Sequence, residues 1–375
     1  MTLVRGRRMG RWALVAAVAA VLCAAPSVVA SLPTGGPQLS ADQLRQRVLH
    51  SATQAYTGYA QTRGSLGLPN LPVLGDVTSL LSGTTNIRVW YGAADANRVD
   101  VIDTVGERDV YQRPEGVYTW DYGRNLLTEV VGSEPVRLPR AGDLLPPDLA
   151  RRVLTMDPGD SVTPLPTRRI AGITASGLRL RPVDPGTTVG QVDIWADPDN
   201  GLPLRVEVTA RGGTQPVLIS QFVDIGFGAP DSSALLPPAQ PDGQVARTTA
   251  PDILGAVDGF VFPLPPDLGG YQQQSALSGL PGVGIYGTGL STFAVLPLPR
   301  GVASSAIDAV TKAGGTKITV RRGRAVLIQI PLLNVLVEQV GRHRAYLVAG
   351  LVDHTVIEKA ATALAEVRFR IGSGR

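Results

Sequence analysis

Residues 192–208 read VDIWADPDNGLPLRVEV, two alternating apolar and polar runs on either side of a turn drawn from Asp, Pro, Asn and Gly. Alternation of period two around such a turn is the signature of a β-hairpin. Val192, Ile194 and Ala196 fall on one face of the first strand, and Leu204, Val206 and Val208 on one face of the second. Asp193, Arg205 and Glu207 are left outward, with Trp195 on that other face. Pro198 presets φ in the turn and Gly201 tolerates positive φ. A third run, 217–225, adds to the same antiparallel sheet. With 43 glycines and 30 prolines the chain carries more turn residues than a helical bundle accommodates, so it is read as β-rich.

The start of the chain reads as an export signal. Arg5, Arg7, Arg8 and Arg11 precede an uncharged apolar run from Trp12 to Ala25, and Val28-Val29-Ala30 offers a small-residue cleavage site. Residues 1–30 are therefore expected to be a signal peptide, with a retained anchor as the alternative, since 12–30 is long enough to span a bilayer. The lone Cys23 lies inside this segment, so cleavage after Ala30 leaves no thiol for a disulfide, a metal or nucleophilic catalysis. The same four arginines account for the net charge of +4, because 31 acidic residues balance the remaining 31 basic ones. The balance is uneven along the chain: residues 31–245 carry 18 basic and 23 acidic residues, residues 246–375 carry 13 and 8. A basic second part suits an acidic partner, a phospholipid surface or the first part itself. Nucleic acid is not expected as a partner of an exported chain.

Taken in order, Ser40-x-x-Gln43 forms a capping box that opens a helix, with Leu44, Val48, Ala52 and Ala55 as its buried stripe to about Tyr56. A strand follows over 57–66. Residues 67–83 are greasy but broken by Pro69 and Pro72. Five short strands are expected at 86–91, 98–103, 107–112, 117–122 and 125–131, spaced as in an antiparallel meander. A short helix is expected at 148–154 and strands at 168–173 and 177–183, leading into the hairpin. Residues 228–269 are dense in proline and read as a linker or extended strap, with a boundary near 241–252. Beyond it, strands at 271–277, 284–296, 316–320, 325–330 and 345–349 with helices at 302–313 and 355–365 give a small α+β unit.

Specific stretches resemble a known family. Tyr56-Thr57-Gly58-Tyr59, Arg98-Val99-Asp100, Tyr118-Thr119-Trp120 and Trp195-Ala196-Asp197 through Leu202-Pro203-Leu204-Arg205 carry the likeness in the first part. Tyr286-Gly287-Thr288-Gly289-Leu290-Ser291-Thr292-Phe293 and Ala345-Tyr346-Leu347-Val348-Ala349-Gly350 carry it in the second. These resemble the MucB/RseB-type sigma-factor regulatory proteins, whose large domain is similar to the lipoprotein carrier LolA. The resemblance implies an α+β fold, with a LolA-like half-open antiparallel β-barrel over 31–245 and a small RseB-like unit over 246–375. It further implies an extracytoplasmic protein that binds acyl chains of lipids or lipoproteins and contacts a membrane-anchored anti-sigma factor through its second part.

No catalytic signature accompanies this. His50, His343 and His354 are scattered, and the sequence contains no H-E-x-x-H, no G-x-S-x-G and no P-loop. Asp197, Asp199 and Asn200 mimic part of a calcium loop, but Val208 stands where its closing Glu belongs. No cofactor and no metal is expected. The expected site is an apolar hollow lined by Leu68, Leu71, Leu74, Leu80, Leu81, Val89, Trp120 and Trp195, with ordinary core packing as the alternative for each. The reading is a non-enzymatic lipid-binding sensor; a lipid or lipoprotein carrier is the alternative, followed by an envelope hydrolase or a structural cell-wall protein.

Overall fold

The computed structural model describes residues 39–67, 80–102, 106–132, 139–156, 159–238, 244–249, 264–274, 283–341 and 343–367. The expected signal segment, and Leu68, Leu71 and Leu74, lie outside the described residues. Among those described, no helix is long and apolar enough to cross a membrane.

Helix α1 (Ala41–His50) starts where the sequence says: Ser40 Oγ accepts the Gln43 N–H and Gln43 Oε1 accepts the Ser40 N–H. It stops six residues earlier than expected. The Ser51 hydroxyl bonds the Val48 carbonyl, a 3₁₀ turn covers Ser51–Thr53, and Tyr56 opens the first strand instead of closing the helix. The strands that follow are β1 (Tyr56–Gly64), β2 (Thr84–Ala93), β3 (Ala96–Ile102), β4 (Glu107–Arg113), β5 (Gly116–Asp121) and β6 (Leu126–Val131). After α2 (Pro146–Met156) come β7 (Ser161–Ile170), β8 (Ile173–Arg181), β9 (Val189–Ala196), β10 (Pro203–Ala210), β11 (Pro216–Phe227) and β12 (Gln244–Thr249). The strand expected at 168–173 is instead the end of β7, a two-residue turn and the start of β8, because Ala171 and Gly172 take φ of 47° and 82°. Two positive φ values in a two-residue connection are the turn that matches strand twist.

These twelve strands form one open sheet in the order β12-β6-β5-β4-β3-β2-β1-β11-β10-β9-β8-β7. All neighbours are antiparallel except β12, which runs parallel to β6. The sheet curls round α1 and α2 as a half-open barrel. Leu44 and Val48 of α1 and Ala150, Val153 and Leu154 of α2 pack on Leu178, Leu180, Val192, Ile194, Val206 and Val208. The hairpin residues assigned inward therefore meet the helices. Those assigned outward are less wet than expected: Asp193 is 5% exposed and pairs with Arg179 at 2.6 Å, while Glu207 pairs with Arg205 and Arg168. The hairpin turn also anchors α1. A Cβ on Gly201 would lie 2.4 Å from the Arg47 carbonyl oxygen, and Arg47 bonds the Pro198 carbonyl.

The second sheet has six antiparallel strands: β15 (Gly284–Tyr286), β16 (Phe293–Pro297), β20 (Arg344–Gly350), β19 (Asn334–Val340), β18 (Gly323–Gln329) and β17 (Thr316–Ile318), in that spatial order. A two-residue pair, β13 (Asp267–Leu268) and β14 (Tyr271–Gln272), precedes it. The single strand expected over 284–296 is two, broken by a 3₁₀ turn at Gly289–Ser291 with Gly287 and Gly289 at positive φ. Helix α3 (Arg300–Lys312) covers one face through Ala303, Ile307 and Val310 against Val326, Val337 and Ala345. Helix α4 (His354–Glu366) covers the other through Val356, Ile357, Ala360, Ala361 and Leu364 against Leu327, Leu336 and Val348. Strand β19, not expected from the sequence, is buried on both faces and so shows no clean alternation.

The two sheets meet at the β8–β9 connection. Thr187 Oγ1 lies 2.5 Å from the Leu290 carbonyl and 2.9 Å from that of Leu351, which share its one hydroxyl proton, Thr188 Oγ1 donates to the Leu332 carbonyl, and the Asp353 N–H donates to the Gly186 carbonyl. Leu290 and Leu332 join the core under α1 and α2. The division expected at 245/246 falls within β12, whose whole length pairs with the first sheet.

Gly201→Ala should destabilise the protein by roughly 1–3 kcal/mol, since it combines a left-handed φ with backbone overlap; chemical denaturation measures this. A second expectation concerns Glu338, which is fully buried on β19 with no partner for either carboxylate oxygen among the described residues. Burial pushes its carboxyl up to about 8, against the pull of Arg344. Because the folded state holds this proton longer than the unfolded chain, its contribution is fully present below about pH 4.5 and is lost as pH rises to about 8. Glu338→Gln should remove up to about 1.4 kcal/mol per pH unit of that slope, so that thermal unfolding shows the variant gaining on the wild type from pH 5 to pH 8.

Candidate binding cleft

The site is built by strand pairing. Register across β2 to β6 and β12 lines up three rows on the concave side of the first sheet. The middle row is Val89, Val99, Val110, Thr119, Thr128 and Ala246; one flanking row is Ile87, Val101, Arg108, Asp121, Leu126 and Gln244; the other is Tyr91, Asn97, Gln112, Val117, Val130 and Thr248. The side chains of one row sit about 5 Å apart, the spacing of neighbouring strands. Leu80, Ala141, Gly142, Leu145 and Asp148 face these rows from the segments before β2 and at the start of α2, enclosing an open cleft of about 990 Å³. That is at the upper end of the volumes of small-molecule sites.

The floor changes character across the sheet. On β2 and β3 it is Val89, Val99 and Val101, with Leu145 and Leu80 above; β4 adds Val110 and Gln112, and β5 and β6 add Thr119, Asp121, Leu126 and Thr128. Charges gather at the rim and are paired. Asp121 faces both Arg108 and Arg124 at 3.8 Å, Asp143 faces Arg152 at 3.5 Å, and Asp148 bonds Arg151 at 3.0 Å. Burial raises the Asp148 carboxyl above its ordinary value, with Arg151 opposing.

The opposite, convex side of the same strands carries aromatic and charged residues packed on one another. Asp100 and Asp109 are register partners, both fully buried, and Arg98 bonds both at 2.7–2.9 Å while stacking on Trp90. Burial pushes Asp100 up to about 7 despite Arg98, and Asp109 adds repulsion. Asp100, Glu107 and Asp109 bring carboxylate oxygens within 4.8 Å of one another, but the Arg98 guanidinium already bonds two of the three groups. Tyr111, Trp120 and Leu127 form a small outer cluster beside them.

Of the residues expected to line a hollow, Leu80 and Val89 do line this cleft. Leu81 packs against the core under α1 and α2. Trp120 points to the convex side, since it alternates with Thr119 and Asp121, which line the cleft. Trp195 lies against Leu165, Ile170 and Ala175, donates to the Pro166 carbonyl and carries Arg168 over its ring. Its cross-strand partner is Gly177, where a Cβ would come within 2.7 Å of the indole nitrogen. The cleft residues not anticipated, Val99, Val110, Gln112, Thr119 and Thr128, alternate along their strands with the outward residues, and that alternation is the signal that identifies them.

Comparison with protein-family models and with curated proteins finds no match. Among solved structures, the chain is similar to MucB in the MucA/MucB complex of Pseudomonas aeruginosa, at 16% identity and TM-score 0.49 over 86% of this chain and 96% of that one. It is similar to a second MucB, solved in complex with MucA(peri), at 17% identity and TM-score 0.47 over 86% and 97%. A LolA-superfamily protein from Nitrosomonas europaea matches at 10% identity and TM-score 0.24, over 53% of this chain and 98% of that one.

Proposed function

We propose that this is an exported, non-enzymatic protein that holds an acyl chain in the concave cleft of its first sheet and acts by protein contact through its second. The observation that carries the reading is the apolar end of the cleft: Val89, Val99, Val101 and Val110 below, and Leu80, Ala141 and Leu145 above, bounding an open hollow. Removing ten methylenes from water is worth about 8 kcal/mol gross, enough to offset much of the cost of immobilising a flexible ligand. The ligand unit is built on the twelve-stranded sheet and the contact unit on the six-stranded one. The family resemblance of 286–293 and 345–350 makes a membrane-anchored anti-sigma factor the expected partner. The basic excess beyond residue 245 fits an acidic partner.

A carrier of lipid or lipoprotein would use the same cleft without a stable partner. Affinity capture from membrane extracts with the full chain separates the two, since a regulator retains one stoichiometric membrane protein and a carrier retains none. For the cleft itself, lipid extraction of the purified protein followed by mass spectrometry should recover acyl-bearing molecules. Val110→Lys, placing an ammonium on the apolar floor, should weaken binding of a fluorescent fatty acid by at least about tenfold, as desolvating a charge against a hydrocarbon chain costs well over 1.4 kcal/mol. A wild-type protein that is empty and rejects the fatty acid contradicts the reading.

A further inference from the structure

The floor of the cleft also specifies what the polar end of its ligand looks like. Along the middle row Val89, Val99 and Val110 give way to Thr119 and Thr128, which are direct register partners. Gln112 lies one row to the side on β4. The side chains of Gln112, Thr119 and Thr128 line the cleft and make no hydrogen bond to another described residue. They offer hydroxyl and amide groups, each able to donate and to accept.

The charges nearby are arranged differently. Arg108 and Arg124 both face the single carboxylate of Asp121, and Asp143 takes the Arg140 N–H at 2.8 Å as well as facing Arg152. Three carboxylates, Asp121, Asp143 and Asp148, line the cleft with three arginines, so the charges there balance. An anionic head group seated there would compete with Asp121 for its two arginines and lie beside that carboxylate's negative charge. A head group of hydroxyls or amides meets Gln112, Thr119 and Thr128 without disturbing any ion pair.

We propose that the cleft selects amphiphiles with an uncharged, hydrogen-bonding head, of the glycosyl or polyol class, the tail lying over the valines of β2 to β4 and the head over the threonines of β5 and β6. This rests on the acyl-binding reading above and adds the head-group class to it.

The test is competition on the full-length protein at pH 7.5 and 0.15 M salt, displacing the uncharged probe N-phenyl-1-naphthylamine. The competitors share one chain: 1-oleoylglycerol, oleate and 1-oleoyl-lysophosphatidic acid, all below their aggregation thresholds. Two added neutral hydrogen bonds predict that oleoylglycerol binds about tenfold more tightly than either anion. The Thr119→Val/Thr128→Val variant should bring the three within about threefold of one another. Equal affinities in the wild type, or tighter binding of an anion, overturn the head-group assignment and leave acyl binding standing. A preference that persists in the double variant overturns the role of the threonines. Failure of the probe and of every competitor to bind refutes the acyl reading, and the head-group class with it.

Discussion

The pairing of β1 with β11 holds the first sheet together. It joins residues such as Tyr56 and Phe227, or Gly64 and Leu218, which are about as far apart in the sequence as any pair in that sheet. On one side of this seam lies the meander β1 to β6, on the other β7 to β11, and each could form from local hairpins alone. Only the seam makes them one surface with a single curvature. Closing so long a loop costs entropy that grows slowly with length but must be met before any contact rewards it. The seam meets it with the aromatic packing of Tyr56, which stacks on Tyr91 at 5.1 Å and meets Phe222 edge-on at 5.7 Å. Gly58 serves the same joint, since a Cβ there would come within 2.9 Å of the Phe222 ring. The concave rows that make the cleft exist because this seam turns a ribbon into a trough.

The two faces of that trough divide the labour. Its inner face is apolar toward the helices and becomes polar toward the open edge. The outer face is not a simple solvated surface: Arg98 between Asp100 and Asp109, and Arg179 on Asp193, are buried or half-buried ion pairs with short, well-directed hydrogen bonds. Breaking one partner of such a pair is costly because a charge is left unmatched in a poorly solvated place, even where the intact pair adds little net stability. Their effect is to fix which residues face which way, because a one-residue slip would carry these charges into the core.

How much of this was legible in the sequence depended on range. The capping box at Ser40 and Gln43, the hairpin at 192–208 and the five-strand meander are local patterns, and local hydrogen bonding and alternation decide them. The ends of elements were less legible: α1 yields at Ser51 to a side-chain bond, and Ala171 accepts a left-handed φ that only its turn explains. The β1–β11 seam and the approach of α2 to the floor depend on contacts between distant residues that no spacing encodes. Choosing site residues by type brought in Trp120 and Trp195, whose parity along β5 and β9 sets them on the other face. Choosing by parity from Val89 onward leads through Val99 and Val110 to Thr119 and Thr128.

One edge of the large sheet, the one opposite β12, has a consequence of its own. It ends on β7, whose residues are largely exposed and include Pro164 and Pro166, with a bulge between Leu165 and Arg168. Proline offers no amide hydrogen for a further strand to receive, and the bulge bends the ladder out of register. The exposed Arg169 adds a charge to the same border. A second molecule approaching along this border therefore finds a poor template for continuing the ladder, which disfavours fibre growth from it.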